Sequence, residues 1–279
     1  MPPSMAPVSC PGKDGLDFRL APGANVAMTG IASALRGVRQ AGRLALDTVL
    51  PPRCLACGEL VDRQGQLCAA CWPGLDFIAR PYCATCGLPF AYDMGADAIC
   101  GACAAETAAF DKARAALVYN DLAARLIVGF KHGDRTHHAP AFARWLATAG
   151  GDLLDEADLI TAVPLHPRRL WLRRFNQSAM MAGLLARDIG KPAVPDLLTR
   201  TRATPTQGGR TRLQRFENVR GAFAVRSARR SVAEGARIVV VVDVFTTGAT
   251  ASAVARCLAR AGAAHVTVLA LARVVRHPN

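Results

Sequence analysis

The chain has 279 residues, about half of them hydrophobic (51%), and carries 34 Lys and Arg against 21 Asp and Glu, a formal charge of +13. That length suits one good-sized domain plus a smaller one, and no apolar run approaches the ~20 residues needed to span a bilayer. Aromatic residues make up only 6% and are scattered, so the stacking platforms of single-strand binders are not visible in the pattern.

Residues 1–27 are rich in Pro, Gly and Ala. They lack the basic start, apolar centre and small-residue cleavage site of a secretory signal, and read as the disordered start of a cytoplasmic protein. From Ile31 to Leu50, apolar residues at Ile31, Leu35, Val38, Leu44, Ala45 and Val49 alternate with arginines. This predicts a short amphipathic helix that ends at Pro51 and Pro52. It is expected to lie on the ribbon or main domain, with membrane-surface docking as the alternative. Three regions are thus expected: 1–50, a cysteine-rich region at 51–107, and a larger domain at 108–279.

Eight of the ten cysteines fall in four C-x-x-C pairs: Cys54/Cys57, Cys68/Cys71, Cys83/Cys86 and Cys100/Cys103. Chance gives roughly 0.4 such pairs in a chain of this composition, so four within about fifty residues mark a site. Two intervening residues let both sulfurs of a pair face one tetrahedral ion, and two pairs close a four-cysteine zinc site. A segment this short buries little apolar area, so the metal supplies folding energy. CLACG and CATCG repeat, each followed by a second pair. The spacing favours two tandem ribbons, Cys54, Cys57, Cys68 and Cys71 on one Zn²⁺ and Cys83, Cys86, Cys100 and Cys103 on another; an interleaved pairing uses the same residues. Without an export signal, disulfides are disfavoured. Cys257 reads as a small buried residue.

From Phe110 onward short apolar runs alternate with helical stretches, the pattern of an α/β domain with a mainly parallel sheet and flanking helices. Strands are expected at Ala115–Tyr119, Leu159–Val163, Ile238–Val242 and Val266–Leu271. Helices are expected up to about Lys131, over His138–Ala149 and over Ala179–Ile189. The positive charge concentrates between Pro164 and Arg230, where fifteen Lys or Arg face three Asp or Glu. A pyrophosphate, a polyphosphate or nucleic acid would use such a concentration; a solvated basic surface is the bland alternative. Within it, Pro164–Arg169 is expected to form a turn with two arginines, Arg168 and Arg169. Thr204–Phe223 has the composition of either a cationic lid or a plain loop.

The most informative stretch is Ile238–Thr250, IVVVVDVFTTGAT. A β-branched run suits a strand buried on both faces, and the C-terminal edge of an open α/β sheet is where ligands bind. Thr246, Thr247, Gly248, Ala249 and Thr250 then turn into a helix expected from about Ser252 to Ala261. Backbone N–H groups and hydroxyls at a helix start cradle a phosphate, and Asp243 can accept hydrogen bonds from sugar hydroxyls.

This stretch resembles the phosphoribosyl pyrophosphate loop of type I phosphoribosyltransferases over Asp243, Val244, Phe245, Thr246, Thr247, Gly248, Ala249 and Thr250. At Val242 it departs, since that family carries the first acid of a pair there. With YCATCGLP, FKHGDR, VPLHPRRLWLRRFNQS and TPTQGGRTRLQRFENVRGAF, all in order over roughly Leu46–Val275, the whole chain resembles the ComF family. Arg174 is a second departure, standing where a glycine is usual. The resemblance implies a type I phosphoribosyltransferase-like domain after a double zinc ribbon, binding of phosphoribosyl pyrophosphate with Mg²⁺, and a part in DNA uptake during natural transformation. Asp243 is then expected on the ribose hydroxyls as the catalytic acid, Thr246–Thr250 on the 5-phosphate, and Arg168 and Arg169, with Lys131 or Arg210, on the pyrophosphate. No general base for an acceptor is identified: His166 is near in sequence and reads at least as well as a structural histidine, and His132, His137 and His138 read as surface residues. Single-stranded DNA and DNA-uptake proteins are the expected partners of a binding module, the favoured reading; an active phosphoribosyltransferase with an unidentified acceptor is the alternative, and a zinc-ribbon adaptor a third.

Overall fold

The strand containing IVVVVDVF sits at the heart of a four-stranded, wholly parallel sheet. The computed structural model describes residues 51–132, 135–204 and 211–275. The expected N-terminal disorder and helix before Leu50, and Arg210 with the paired glycines beside it, lie outside the described residues. The strands are β1 (Lys112–Val118), β2 (Leu159–Ala162), β5 (Arg237–Phe245) and β6 (His265–Arg273), in the order β1-β6-β5-β2. Two three-residue strands, β3 (Leu198–Arg200) and β4 (Phe223–Val225), form a small antiparallel pair apart from it.

Both faces of the sheet are covered, which is why β5 is apolar without alternation. Val239, Val241, Leu269 and Leu271 face a layer of three helices, α1 (Asp121–His132), α2 (Ala139–Gly150) and α4 (Gln177–Asp188). Ile238, Val240, Val242, Val268 and Ala270 face α6 (Ala249–Arg260), Val219 of α5 (Arg212–Val219) and the β3/β4 pair. Between β2 and α4 runs α3 (Pro167–Arg173), where the sequence predicts only a turn. Pro167 enters the first turn of this helix, and the ring Nδ1 of His166 accepts the Arg168 N–H at 3.3 Å, so His166 is an N-cap.

The segment expected to be a lid or a plain loop is neither in its described part. Thr211 and Gln214 form a reciprocal capping box that starts α5, and the chain then enters β4. One buried residue departs from expectation. His138 is 0% exposed, packed edge-on against Phe142 at the start of α2, and neither ring nitrogen has a partner among the described residues. Burial, with His137 and Arg135 nearby, pushes it down to about 4.

Short segments close both edges of the sheet. Beside β1, Phe77 bridges Leu117, with the Ile78 N–H on Ala116 O (2.9 Å) and the Val118 N–H on Asp76 O (2.8 Å). Beside β2, Ile160 donates to Pro192 O and accepts from the Val194 N–H, each at 2.9 Å.

Candidate functional site

The cysteines gather as two sets, Cys54/Cys57/Cys68/Cys71 and Cys83/Cys86/Cys100/Cys103, each with its sulfurs within 4.8 Å of one another. The sequential pairing is therefore the one the fold forms. The internal repeat has a structural meaning: in both knuckles the first cysteine N–H closes on a carbonyl five residues on, and its own carbonyl accepts from the following glycine, Gly58 at 3.1 Å or Gly87 at 2.9 Å. Cys57 and Cys68 sulfurs lie 3.6 Å apart, and those of Cys86 and Cys100 3.7 Å. A tetrahedral ion bound at about 2.3 Å needs sulfur separations of about 3.8 Å, so both sets suit Zn²⁺. Amide donors favour the thiolate form. Burial alone would raise the Cys83 thiol, but N–H groups of Cys86 (3.4 Å) and Cys100 (3.2 Å) aimed at its sulfur bring it down to about 7.

The second site is the cleft at the C-terminal end of β5, with a volume of about 540 Å³. Its floor is Val242–Thr246 and Gly248–Ala251. Gly248 turns the chain with φ +78°, and a Cβ there would lie 3.1 Å from the Phe245 ring. The helix starts at Ala249, three residues before the expected position, so the turn and the first N–H groups of α6 share one wall. The other walls come from distant segments: Lys131 at the end of α1, Arg169 and Arg173 of α3, Ser178 of α4, Arg200 of β3 and Arg215 of α5.

Helical spacing decides which arginines reach the cleft. Residues 169 and 173 share a face of α3, whereas Arg168 is exposed and stands outside the lining. Arg169 donates to Thr204 O at 2.8 Å. Arg200 donates to Thr204 Oγ1 and sits over the Phe223 ring; burial, then Arg169 and Arg202, push it down to about 10. Thr247 also turns away. It lines a second cavity of about 330 Å³ shared with Cys86, Cys100, Phe110 and Arg273, and its buried hydroxyl has no partner among the described residues.

Asp243 is the one acid in the cleft lining among the described residues. Its Oδ2 pairs with Lys131 Nζ at 2.5 Å, and its Oδ1 accepts the Val244 N–H at 2.7 Å. Burial by itself raises this carboxyl, but Lys131 and, further off, Arg173 reverse that and hold it below the usual range. Val242 is only 6% exposed and belongs to the apolar layer with Val240 and Ile238. Of the expected loop, Asp243, Val244, Phe245, Thr246, Gly248, Ala249 and Thr250 meet in the cleft. Sequence reasoning gave no role to Arg173, Arg200 and Ser178, and included Arg215 only within the Thr204–Phe223 segment. Arg173 alone had a signal, its spacing of four from Arg169 once that segment is taken as helix.

The departure at Arg174 also has a place. It ends α3 with φ +64°, the one non-glycine residue with positive φ among those described, and Asn176 restarts the helix by capping α4 and donating to Val163 O at 3.1 Å.

Comparison with known proteins places the chain among relatives. Residues 45–105 match the double zinc ribbon domain family. The DNA utilization protein YhgH of Salmonella typhimurium is 33% identical over 69% of this chain and 84% of that protein. Competence protein F of Haemophilus influenzae is 29% identical over 79% of this chain and 96% of its own length. Competence protein ComFC of Bacillus subtilis is 26% identical over 77% and 87%. Among solved structures, the glutamine phosphoribosylpyrophosphate amidotransferase from Bacillus subtilis, complexed with ADP and GMP, has a TM-score of 0.32 at 26% identity, covering 47% of this chain and a quarter of that one.

Proposed function

The chain belongs to the ComF family, and on that footing we propose that it binds phosphoribosyl pyrophosphate in the β5 cleft and acts in the cytoplasm in DNA uptake during natural transformation. The observation that carries the first part is the cleft itself. A glycine turn and helix start face the same space as Asp243, with five basic side chains around them, an arrangement suited to a sugar bearing phosphate at both ends. The second part rests on relatives named as competence and DNA utilization proteins. Among the described residues no helix is long and apolar enough to cross a membrane. We assign single-stranded DNA and other uptake proteins to the basic stretch Pro164–Arg230 and the ribbons, and take 51–107 and 108–279 as the working domain division.

Binding ranks ahead of turnover. A phosphoribosyltransferase has to manage an acceptor proton, and among the described residues the cleft lining holds no histidine and no acid besides Asp243, which Lys131 already occupies. Calorimetric titration of the full chain with phosphoribosyl pyrophosphate is the test. Asp243→Asn is expected to weaken binding by roughly tenfold or more and, placed in the genome, to lower transformation frequency. Equal affinity in parent and variant would remove the cleft from the function. Pyrophosphate release in the presence of nucleobases would instead establish the enzyme reading.

A further inference from the structure

The sequence reading brings Mg²⁺ in with the pyrophosphate, but the donors in the cleft do not suit that ion. Mg²⁺ is held by carboxylates, phosphate oxygens and water. Among the described residues the lining offers one carboxylate, Asp243, with Oδ2 against Lys131 Nζ at 2.5 Å and Oδ1 engaged by the Val244 N–H. Where an acid pair would put its first member, Val242 belongs to the apolar layer. Among the described lining residues the other charged side chains are Arg169, Arg173, Arg200 and Arg215, so cations outnumber the carboxylate there. A free divalent cation is repelled from such a field, while a polyanion without its metal is drawn in.

We propose that Lys131 is a built-in replacement for the divalent cation, and that the cleft takes its sugar pyrophosphate as the metal-free polyanion. This deepens, and rests on, the phosphoribosyl pyrophosphate reading above. An ammonium is a compact charge with three donors. One donor is spent on Asp243, which leaves two for pyrophosphate oxygens or a ribose hydroxyl. The stem is well placed for this. Lys131 follows the buried Phe130 at the end of α1, and its carbonyl accepts from Gln177 Nε2 at 3.4 Å, which ties that turn to α4. The lysine therefore occupies, on the protein side, the position between the single acid and the incoming anion that a metal would fill.

The experiment is a titration of the full chain with phosphoribosyl pyrophosphate, once in EDTA and once in excess Mg²⁺. The parent is expected to bind in both with dissociation constants within about threefold. Lys131→Met is expected to lose about tenfold or more in EDTA and to recover part of that in Mg²⁺, with Lys131→Arg close to the parent. Thermal melts of both variants verify folding, and Lys131→Gln serves if the methionine variant is unstable. Binding by the parent only in Mg²⁺, or a Lys131→Met protein that equals the parent in EDTA, overturns the proposal and leaves the ligand assignment standing. Absence of binding in both buffers overturns the ligand assignment, and this inference with it.

Discussion

The ribbons and the cleft are polar sites of opposite construction. Each ribbon draws its four ligands from one short run, Cys54–Cys71 or Cys83–Cys103, whereas the cleft collects side chains from seven elements, α1, α3, α4, β3, α5, β5 and α6. The first kind of site stands on its metal, the second on the sheet and helices that hold its parts. One residue joins them. Arg273, at the end of β6, donates to Cys86 O at 2.5 Å and to Cys86 Sγ at 3.4 Å, and its guanidinium lies over the Phe245 ring, 4.9 Å from the centroid. The second ribbon is thereby attached to the turn that floors the cleft. The first ribbon reaches the domain elsewhere, through Arg144 on Gly65 O and through Phe77, which stacks on Trp72 and packs edge-on against Trp145.

The largest expected effect separates the ribbons. Cys86→Ser should reduce bound zinc from about two ions per chain to about one, cost on the order of 5 kcal/mol, and take ligand binding in the cleft with it. Cys57→Ser should lose an ion too but leave cleft affinity within about threefold of the parent. Metal analysis, melts and titration on both variants measure this, and equal loss of cleft binding would break the distinction. Arg273→Met, with zinc retained, should weaken the cleft alone.

Next in size is an acid effect that belongs to the α/β domain and not to either ribbon. His138 has its folded value at about 4, below its ordinary 6.5, so the unfolded chain takes up the proton first. Its contribution is complete above pH 6.5 and is lost as pH falls towards 4, about 3 kcal/mol in all. His138→Leu should flatten the stability–pH curve in that window; an unchanged slope in denaturant melts would reject the assignment.

Smallest is a gain. Arg174 holds a left-handed conformation that costs a residue with a Cβ roughly 1 kcal/mol, partly offset by the extra freedom glycine has when unfolded. Arg174→Gly should raise the melting temperature by about 1–2 °C and leave zinc content unchanged. A fall in melting temperature would mean that the Arg174 side chain contributes more than its backbone costs.

The same contrast explains what could be read from the sequence. Ligand spacing encodes a ribbon, so all eight cysteines were legible, and the fold decided only between the two pairings. β1, β2, β5 and β6 were legible because long apolar runs between helical patterns leave few alternatives, as was Asp243 at the strand end. β3 and β4 were not, since three residues carry no period and their partners lie some twenty-five positions apart. Arg200 and Arg215 escaped for the same reason: only the fold of this small pair and of α5 turns them to the cleft. Arg168 and Thr247 show the limit of motif reading, which treats neighbours in sequence as neighbours in space. A helix separates 168 from 169 by 100°, and the tight turn leaves Thr247 out of the cleft that Thr246 lines. The burial of His138 is not legible in the sequence, because a histidine beside another has no pattern that announces it.

The capped sheet edges bear on how this protein can be divided. An uncovered strand invites pairing with the same strand of another copy, and β1 is covered by Asp76–Ile78, which lie between the two cysteine sets. A fragment cut at residue 108 would expose the backbone of Ala116 and Val118 and be prone to self-association, so the segment Asp76–Ile78 between the two cysteine sets guards solubility. Keeping the chain from about residue 75 preserves that guard even where the first zinc site is removed.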